Sequence, residues 1–217
     1  GTGNKISKKR SAPGHTVSQT GAAARCLLPK AESRKEGETR MEWWDLYTRD
    51  RQPTGARHLR GQPLPPDAYH LAVHVWLRGA DGRYLLSQRA AGRPTFPLLW
   101  ECVGGAVLAG EIGAQAALRE TREELGLDLA GCRGGLLCTR TRDAVLGQRA
   151  NSILDVWLFA YNGPPRLDRA AAGEVARAGW RTPGEIRELW RQGRMVPTLD
   201  YFFGTVLPAR IPSGSNG

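Results

Sequence analysis

The stretch from residue 104 to residue 127, GGAVLAGEIGAQAALRETREELGL, constrains this chain more than any other part of its sequence. It begins with a glycine pair and continues into a run in which small and apolar side chains recur every three or four residues. These recurring positions are Ala114, Ala117, Leu118, Thr121 and Leu125. Gly126 then ends the run, as a glycine in a C-terminal cap does. The pattern predicts a strand, a glycine loop and an amphipathic helix in direct succession.

Three glutamates share one face of this predicted helix. Glu120, Glu123 and Glu124 are related as i, i+3 and i+4, so their carboxylates lie close together and repel one another. Solvation, pairing with arginine or a bound cation would each offset that repulsion. An ordinary surface helix with i,i+4 ion pairs accounts for the charges but not for the distant glycines. Because Mg²⁺ takes one or two protein carboxylates and completes its shell with water and phosphate oxygens, the full pattern favours a magnesium-bound polyphosphate.

The spacing of these residues resembles the Nudix box, the signature of the Nudix hydrolase superfamily. The matching positions are Gly104, Gly105, Glu111, Arg119, Glu120, Glu123 and Glu124. Thr121 stands where the family usually has an aliphatic residue. The resemblance implies hydrolysis of a nucleoside diphosphate linked to another moiety, or of a related organic pyrophosphate, with Mg²⁺ or alternatively Mn²⁺ as the cofactor.

The resemblance also implies a metal site at the glycine pair. Glu120, Glu123 and Glu124 would be the metal ligands, helped by the backbone carbonyl of Gly104. Gly104 and Gly105 would let the metal-bound diphosphate approach the backbone closely, since neither residue has a Cβ atom.

Two further roles concern the ion pair and the general base. By resemblance, Glu111 and Arg119 would form the ion pair that holds the loop on the helix. A carboxylate must also accept the proton of the attacking water, and Glu120 and Glu174 are both candidates. The sequence leaves the choice between them open.

Strand-like and helix-like segments alternate at short intervals from Met41 onward. Strands are predicted at 43–47, 56–59, 71–77, 84–88, 100–103, 135–141, 153–161 and 175–181, and further helices at 183–191 and 197–206. A turn at Pro53-Thr54-Gly55 would join the first two strands, and residues 142–151 would form a polar loop. This order suggests an α/β sandwich. The resemblance makes it a Nudix-type α/β/α sandwich with a mixed sheet.

Much of the net charge of +10 lies at the N-terminus. Residues 1–40 contain nine Lys or Arg and three Glu, a balance of +6 that leaves +4 for the other 177 residues. They contain no aromatic residue, which is typical of a disordered segment. We therefore expect residues 1–40 to be a processed, appended or wrongly translated extension, residues 41–207 to be the Nudix domain, and residues 208–217 to be a flexible tail. A basic arm that binds nucleic acid is the competing, disfavoured interpretation.

The sequence indicates no membrane partner. No apolar run approaches the roughly 18 residues that a membrane span needs, and the N-terminus lacks the apolar region of a signal peptide. The four cysteines are Cys26, Cys102, Cys132 and Cys138, with no CXXC pair and no His-rich metal spacing. We expect a cytoplasmic protein that acts on a small-molecule diphosphate, and a homodimer is compatible with this sequence.

Three segments narrow the resemblance to the branch that contains isopentenyl-diphosphate isomerase and its hydrolase relatives. They are YHLAVHVW at 69–76, Arg89, and EVARAGW at 174–180. The isomerase chemistry needs a catalytic cysteine at the glycine pair and several metal-binding histidines. His70 matches one of these, but the position seven residues earlier is Pro63, Ala106 rather than histidine follows the glycines, and Cys102 lies two positions too early. The hydrolase is therefore favoured, and a non-catalytic binding module is disfavoured because all the box carboxylates are present.

Other polar and aromatic residues carry weaker predictions. His70 and His74 face the same way on one predicted strand, where we favour core residues over metal or substrate contacts. Substrate specificity is expected in the loops at 88–99 and 141–152. The arginines in or beside the second loop are Arg140, Arg142 and Arg149, and the tryptophans assigned to the core are Trp76, Trp100 and Trp157.

Overall fold

The computed structural model describes Gly1, Gly3 and residues 41–213. In chain order its elements are β1 (Trp43–Tyr47), β2 (Pro53–Leu59), β3 (Tyr69–Arg78), β4 (Tyr84–Arg89), β5 (Trp100–Glu101), β6 (Val103–Ala106), α1 (Gly113–Leu125), β7 (Gly134–Val145), β8 (Gln148–Ala160), β9 (Val175–Arg181) and α2 (Pro183–Arg191). The hypothesis about residues 1–40 concerns residues that, apart from Gly1 and Gly3, lie outside the described part of the chain.

Strand β3 lies at the centre of the sheet. It pairs antiparallel with β1, β4 and β6, and parallel with β8 from His70 opposite Ser152 to Arg78 opposite Ala160. Both of its faces are buried, as expected of a strand with an almost continuous apolar run. Its parallel and antiparallel neighbours make the sheet mixed, as predicted.

A helix covers each face of this sheet. Ala116, Ala117 and Leu125 of α1 pack on one face, against a core that includes Val73 and Val75. Ile186 and Leu189 of α2 pack on the other face, against a core that includes Trp76 and Leu154. The predicted mixed α/β fold is confirmed, and its layers are helix, sheet and helix.

Two predicted connections were wrong. The turn between β1 and β2 comes earlier than Pro53-Thr54-Gly55, because Thr48 and Gln52 close it by a backbone hydrogen bond of 2.8 Å and β2 already begins at Pro53. The predicted polar loop at 142–151 is instead the tip of a long hairpin between β7 and β8. Leu146 and Gly147 both have positive φ, 50° and 78°, which is the geometry of a tight two-residue hairpin turn. Leucine is not typical of such turns, so the sequence did not indicate a hairpin at Leu146. The polar residues of the two strands near the tip suggested a loop instead.

The predicted closing helix at 197–206 was also wrong. This segment contains a 3₁₀ turn at Pro197–Leu199 and a π-helical turn at Phe202–Val206. Leu199, Tyr201, Phe202 and Val206 are all buried in the core on the α2 side of the sheet. Because all four side chains are buried, tertiary packing and not helix periodicity sets the local backbone.

The residues that follow this segment also contact the core in their described part. Ala209 and Ile211 pack partly against it, and the Arg78 guanidinium donates a 2.7 Å hydrogen bond to the carbonyl oxygen of Ala209. These contacts fall within the region that the sequence analysis expects to be a flexible tail.

The three tryptophans that the sequence assigned to the core lie inside, as expected. Trp76, Trp100 and Trp157 are all buried, the first two within the core on the α2 side and the third within the core on the α1 side. Among the described residues, no helix combines the length and the hydropathy needed to cross a membrane.

A buried carboxylate ties the β1–β2 turn to the start of α1. Asp155 on β8 is buried and accepts two hydrogen bonds from Arg51, at 2.6 and 2.7 Å, and a third from Thr139 at 2.7 Å. A Cβ atom at Gly113, the first residue of α1, would lie 2.7 Å from the same carboxylate. The Arg51–Asp155 ion pair therefore supports the end of the helix that leads to the glutamates.

Removing the arginine of this pair should destabilise the fold. Arg51→Met leaves the buried Asp155 charge with only Thr139, so we expect the free energy of unfolding to fall by about 2 kcal/mol. That is less than the roughly 3–5 kcal/mol for a fully buried pair, since Arg51 is 38% exposed. Urea denaturation measures the change. The control is Arg49→Met, which breaks the exposed Arg49–Asp143 pair two residues away and should have little effect. Equal stabilities of the two variants would contradict this prediction.

Candidate active site

Helix α1 places its glutamates next to the glycine pair. Its C-terminus is set by Gly126, whose φ of 66° allows the backbone N–H to reach back to the Thr121 and Arg122 carbonyl oxygens. Thr121 is fully buried, and its hydroxyl donates to the Ala117 carbonyl oxygen at 2.8 Å. This hydrogen bond satisfies the hydroxyl inside the core and explains why the helix accepts a threonine at an otherwise aliphatic position.

Arg119 connects the helix to the loop and to the strand before it. Its guanidinium forms two hydrogen bonds with Glu111, at 2.8 and 2.9 Å, and a third with the Ala106 carbonyl oxygen at 2.9 Å. It also donates to Glu120 at 2.6 Å and to Glu123 at 3.1 Å. Burial alone would lower the pKa of Arg119, but its hydrogen bonds with Glu111 and the charge of Glu120 raise the pKa above its ordinary value.

Glu120 lies directly against the glycine pair. A Cβ atom at Gly105 would collide with the Glu120 carboxylate, so only glycine permits this approach. Burial, opposed by Arg119 and assisted by the neighbouring charges of Glu123 and Glu174, raises the pKa of Glu120 to about 7. The carboxyl group is therefore desolvated next to backbone that a ligand can approach.

Glu124 is the most deeply buried of the three glutamates. One oxygen accepts a long hydrogen bond of 3.5 Å from the Gly104 backbone N–H, and the other, Oε2, is buried with no hydrogen-bond partner among the described residues. Burial and the charge of Glu101 raise the pKa of Glu124 well above its usual range. A buried carboxylate oxygen without a donor is unfavourable, and a cation would satisfy it.

Glu101 is a member of this cluster that the sequence analysis missed. It lies at the end of β5 and is held by Arg89, whose guanidinium is 2.8 and 3.0 Å from its two oxygens. Burial raises the pKa of Glu101, and Arg89 opposes the rise. The only signal in the sequence was a carboxylate inside an otherwise apolar strand, three residues before the glycine pair.

Glu174 approaches the cluster from outside the 104–127 stretch. It precedes β9 and pairs with Arg93 at 3.5 Å. Its side chain is 40% exposed, yet its charge contributes to raising the pKa of Glu101, Glu120 and Glu124. The fold thus brings together all the residues that the sequence analysis singled out for the site, with Glu174 at its solvent-exposed side.

Comparison with known proteins bears on the family to which this chain belongs. A family model of the NUDIX domain matches residues 68–202, which is more than half of the chain. The chain belongs to the Nudix family. The predicted family and the predicted class of enzyme, a Nudix hydrolase, are thereby confirmed.

Individual Nudix proteins show the extent of the similarity. An uncharacterised Nudix hydrolase of Listeria monocytogenes is 32% identical over 166 residues, covering 75% of this chain and 91% of that protein. An isopentenyl-diphosphate Delta-isomerase of Nocardia farcinica is 35% identical over 124 residues, covering 56% and 69%.

Solved structures with the same fold include DR0079 from Deinococcus radiodurans, with a TM-score of 0.59, 22% identity and coverage of 71% of this chain and 92% of that one. A bifunctional NMN adenylyltransferase/ADP ribose pyrophosphatase from Francisella tularensis, in complex with AMP and a Mn ion, has a TM-score of 0.50 and 26% identity. That alignment covers 67% of this chain and 42% of that one.

The three glutamates of α1 could hold a divalent cation. Among the described residues, no three His, Cys, Asp or Glu side chains converge as a ready metal cage. Arg119 explains this, because it hydrogen-bonds both Glu120 and Glu123. Magnesium needs only one or two protein carboxylates, and the partnerless oxygen of Glu124 beside Gly104 supplies a place for one.

A cavity of about 310 Å³ reaches the glycine pair from the α2 side of the sheet. It is lined by Trp44, His70, His74, Arg89, Glu101 and both glycines, among others. Successive residues of β6 face opposite sides, so a Cβ atom at Gly104 would meet His74 while one at Gly105 would meet Glu120. The glycine pair therefore lies between the glutamate cluster and the cavity.

Both histidines are held by neighbours in this region. His70 stacks on Trp44 with ring centroids 4.1 Å apart, and its Nδ1 lies 3.2 Å from the Leu71 carbonyl oxygen. The Nδ1 of His74 lies 2.8 Å from the Tyr201 hydroxyl. Burial lowers the pKa of His70 to about 4 and that of His74 to about 3, so both are neutral at pH 7. His70 therefore has a backbone partner, whereas His74 has a side-chain partner.

The raised pKa of Glu120 predicts a pH dependence of stability in metal-free protein. The ordinary pKa is 4.5 and the folded value is about 7, so the folded state keeps a proton that the unfolded chain releases. The stabilisation is fully present below pH 4.5 and is lost as the pH rises through 7. Relative to Glu120→Gln, which cannot titrate, the wild-type protein should therefore become less stable between pH 4.5 and pH 8.

Urea denaturation in EDTA at a series of pH values measures this difference. The contributions of His70 and His74 are common to both proteins and cancel. Glu188→Gln, on the exposed face of α2, is the control and should follow the wild-type curve. A difference between wild type and Glu120→Gln that is constant with pH would contradict the prediction.

Proposed function

We propose that this protein hydrolyses a diphosphate linkage in a nucleoside diphosphate derivative or a related organic pyrophosphate, with Mg²⁺ as cofactor. The observation that carries the proposal is the buried Glu124 oxygen without a partner, beside Gly104 and within a cluster of glutamates. Clustered carboxylates beside a glycine pair suit a hard cation, and the cation in turn suits phosphate oxygens.

The metal ligands we propose are Glu120, Glu123, Glu124 and the backbone carbonyl of Gly104. Bound Mg²⁺ would neutralise phosphoryl oxygens and acidify or orient the attacking water. Mn²⁺ is the alternative ion, and the Francisella tularensis neighbour that contains a Mn ion supports it. Gly105 allows the Glu120 carboxylate to lie against the strand, and a side chain there would displace it.

The remaining roles belong to side chains that orient the cluster or move a proton. Glu111 and Ala106 hold Arg119, and Arg119 in turn fixes the carboxylates of Glu120 and Glu123. The general base would be Glu120 or Glu174. Glu120 is buried beside the glycines, whereas Glu174 is at the solvent-exposed side, where water reaches it.

The isomerase is the alternative function, because some relatives carry that name. Its catalytic cysteine has no equivalent at the glycine pair of this chain. Cys102 is buried between β5 and β6, and burial raises the pKa of its thiol well above the usual value. A protonated, buried thiol is a poor acid–base group, and Ala106 and Pro63 supply no metal ligand. These features support the hydrolase.

The proposed diphosphate hydrolysis also suggests the kind of substrate, the extent of the catalytic unit and the cellular compartment. The substrate would be a small molecule that reaches the cavity beside the glycine pair, and the catalytic unit would lie within residues 41–207. The described cysteines are all free, which agrees with a reducing, cytoplasmic environment. A homodimer is compatible with these proposals.

A substrate panel tests the proposed reaction. The protein is incubated with dinucleoside polyphosphates, nucleotide sugars, nucleoside triphosphates and isoprenyl diphosphates, each with and without Mg²⁺. We expect a phosphorylated fragment to be released only when Mg²⁺ is present. Double-bond migration in an isoprenyl diphosphate would instead establish the isomerase, and binding without turnover would establish a non-catalytic module.

Neutralising one metal ligand should remove most of this activity. Glu123→Gln and Glu124→Gln should each lower kcat by about 100-fold or more, because each removes a charge from the metal site. Circular dichroism should show that both variants remain folded, and Glu188→Gln serves as an exposed control. Wild-type activity of either variant at saturating Mg²⁺ would mean that the ligand assignment is wrong.

The pH dependence of kcat should identify the general base. Loss of the base removes the acidic limb of the profile and lowers kcat, whereas loss of another carboxylate leaves the shape of that limb intact. The measurement compares Glu120→Gln with Glu174→Gln over the same pH range. If both variants retain the wild-type acidic limb, neither residue is the base.

A further inference from the structure

His74 occupies an unusual position for a core histidine. It lies on β3 directly opposite Gly104 of β6, and a Cβ atom at Gly104 would be 2.8 Å from its Cδ2 and 3.6 Å from its Nε2. The same side chain lines the cavity that reaches the glycine pair. Its Nε2 has no hydrogen-bond partner among residues 41–213, the main described range. One nitrogen of the ring therefore lies close to the glycine pair of β6, where a diphosphate is proposed to bind.

The other nitrogen, Nδ1, belongs to a buried chain of hydrogen bonds. The Trp76 indole Nε1–H, which can only donate, lies 3.1 Å from the Tyr201 hydroxyl oxygen. The same oxygen lies 2.8 Å from Nδ1 of His74. Tyr201 is 6% exposed, and its hydroxyl has no further hydrogen-bond partner in the described residues.

The direction of these hydrogen bonds determines which nitrogen of His74 carries the hydrogen. If Nδ1 carried the hydrogen, the Tyr201 oxygen would accept from both neighbours, and its own buried hydrogen would have no acceptor. Leaving a buried donor without an acceptor is unfavourable. Tyr201 therefore donates to Nδ1, and the hydrogen of the neutral imidazole is on Nε2.

We propose that His74 is a catalytic residue whose Nε2–H donates a hydrogen bond to a non-bridging oxygen of the substrate's diphosphate at Gly104. Tyr201 is a positioning residue, because its hydroxyl holds His74 in this tautomer. The proposal rests on the proposed diphosphate hydrolysis. A neutral donor preset toward the site where negative charge develops stabilises the transition state without reorganising. It also complements the metal site, because it contacts the substrate from the opposite side of β6 to Glu120.

The first experiment examines the tautomer without any turnover. Long-range ¹H–¹⁵N NMR spectra of metal-free protein should show His74 with a protonated Nε2 and an unprotonated Nδ1. Tyr201→Phe should produce a mixture of both tautomers, since the donor to Nδ1 is gone. Tyr84→Phe is the matched control, because it removes a buried hydroxyl from the same core that has no hydrogen-bond partner. A wild-type His74 protonated on Nδ1 would overturn the proposal.

The second experiment examines contact with a diphosphate. Methylenediphosphonate, which cannot be hydrolysed at its bridge, is added with Mg²⁺ while the His74 Nε2–H signal is followed. We expect this signal to shift on binding, and the affinity measured by calorimetry to fall several-fold in His74→Leu. An analogue that does not bind, or that binds without moving the His74 signal, would overturn the proposal.

The third experiment measures kinetics on whichever compound of the panel is hydrolysed. His74→Leu should lower kcat by about 10- to 100-fold with a smaller change in KM, as loss of a transition-state donor does. His74→Gln, which keeps an N–H donor of similar reach, should recover part of the loss. Wild-type kcat in a folded His74→Leu protein would refute the role of His74. If no compound is hydrolysed, the proposed function fails, while the two NMR experiments still decide the hydrogen bond.

Discussion

The guanidinium of Arg119 is the interaction on which the site depends. It spans three pieces of chain, because it bonds Glu111 in the loop, the Ala106 carbonyl at the end of β6, and Glu120 and Glu123 on its own helix. One positive charge placed among these carboxylates offsets a repulsion that would otherwise push the loop away from the helix. The loop, the glycine strand and the glutamate face therefore have fixed positions relative to one another.

The central strand β3 supplies the second constraint, since both of its faces are used. Val73 and Val75 form the core beneath α1, and so support the helix that carries the glutamates. His70, His74 and Trp76 lie on the opposite face, where Trp76 contributes to the core under α2 and the two histidines line the cavity. The glycine pair of β6 lies beside this strand and has no side chains, so groups on both faces of the sheet come close to its backbone.

The sequence predicted the parts of the site that are local in the chain. Glu111, Arg119 and the glutamates of α1 lie within one loop and helix, where spacing alone determines which side chains meet. It did not predict Glu101, because the approach of β5 to the helix depends on long-range strand pairing. The same limit applies to the hairpin tip at Leu146 and to the π-helical turn before Val206, where tertiary packing overrides local preference.

The sequence by itself determined the alternation of strands and helices and the set of charged residues beside the glycine pair, because these follow from short-range periodicity and spacing. The resemblance that those residues carry then indicated the family and its mixed sheet. Only the tertiary structure decided what surrounds that set. It buried one oxygen of Glu124 without a hydrogen-bond partner, and it added the Arg89–Glu101 ion pair to the charged cluster. It also joined Tyr201 to His74 and Trp76 by hydrogen bonds across more than a hundred residues of chain. The physical reason is that desolvation and hydrogen-bond direction depend on which distant segments pack together, and a linear pattern does not contain that information.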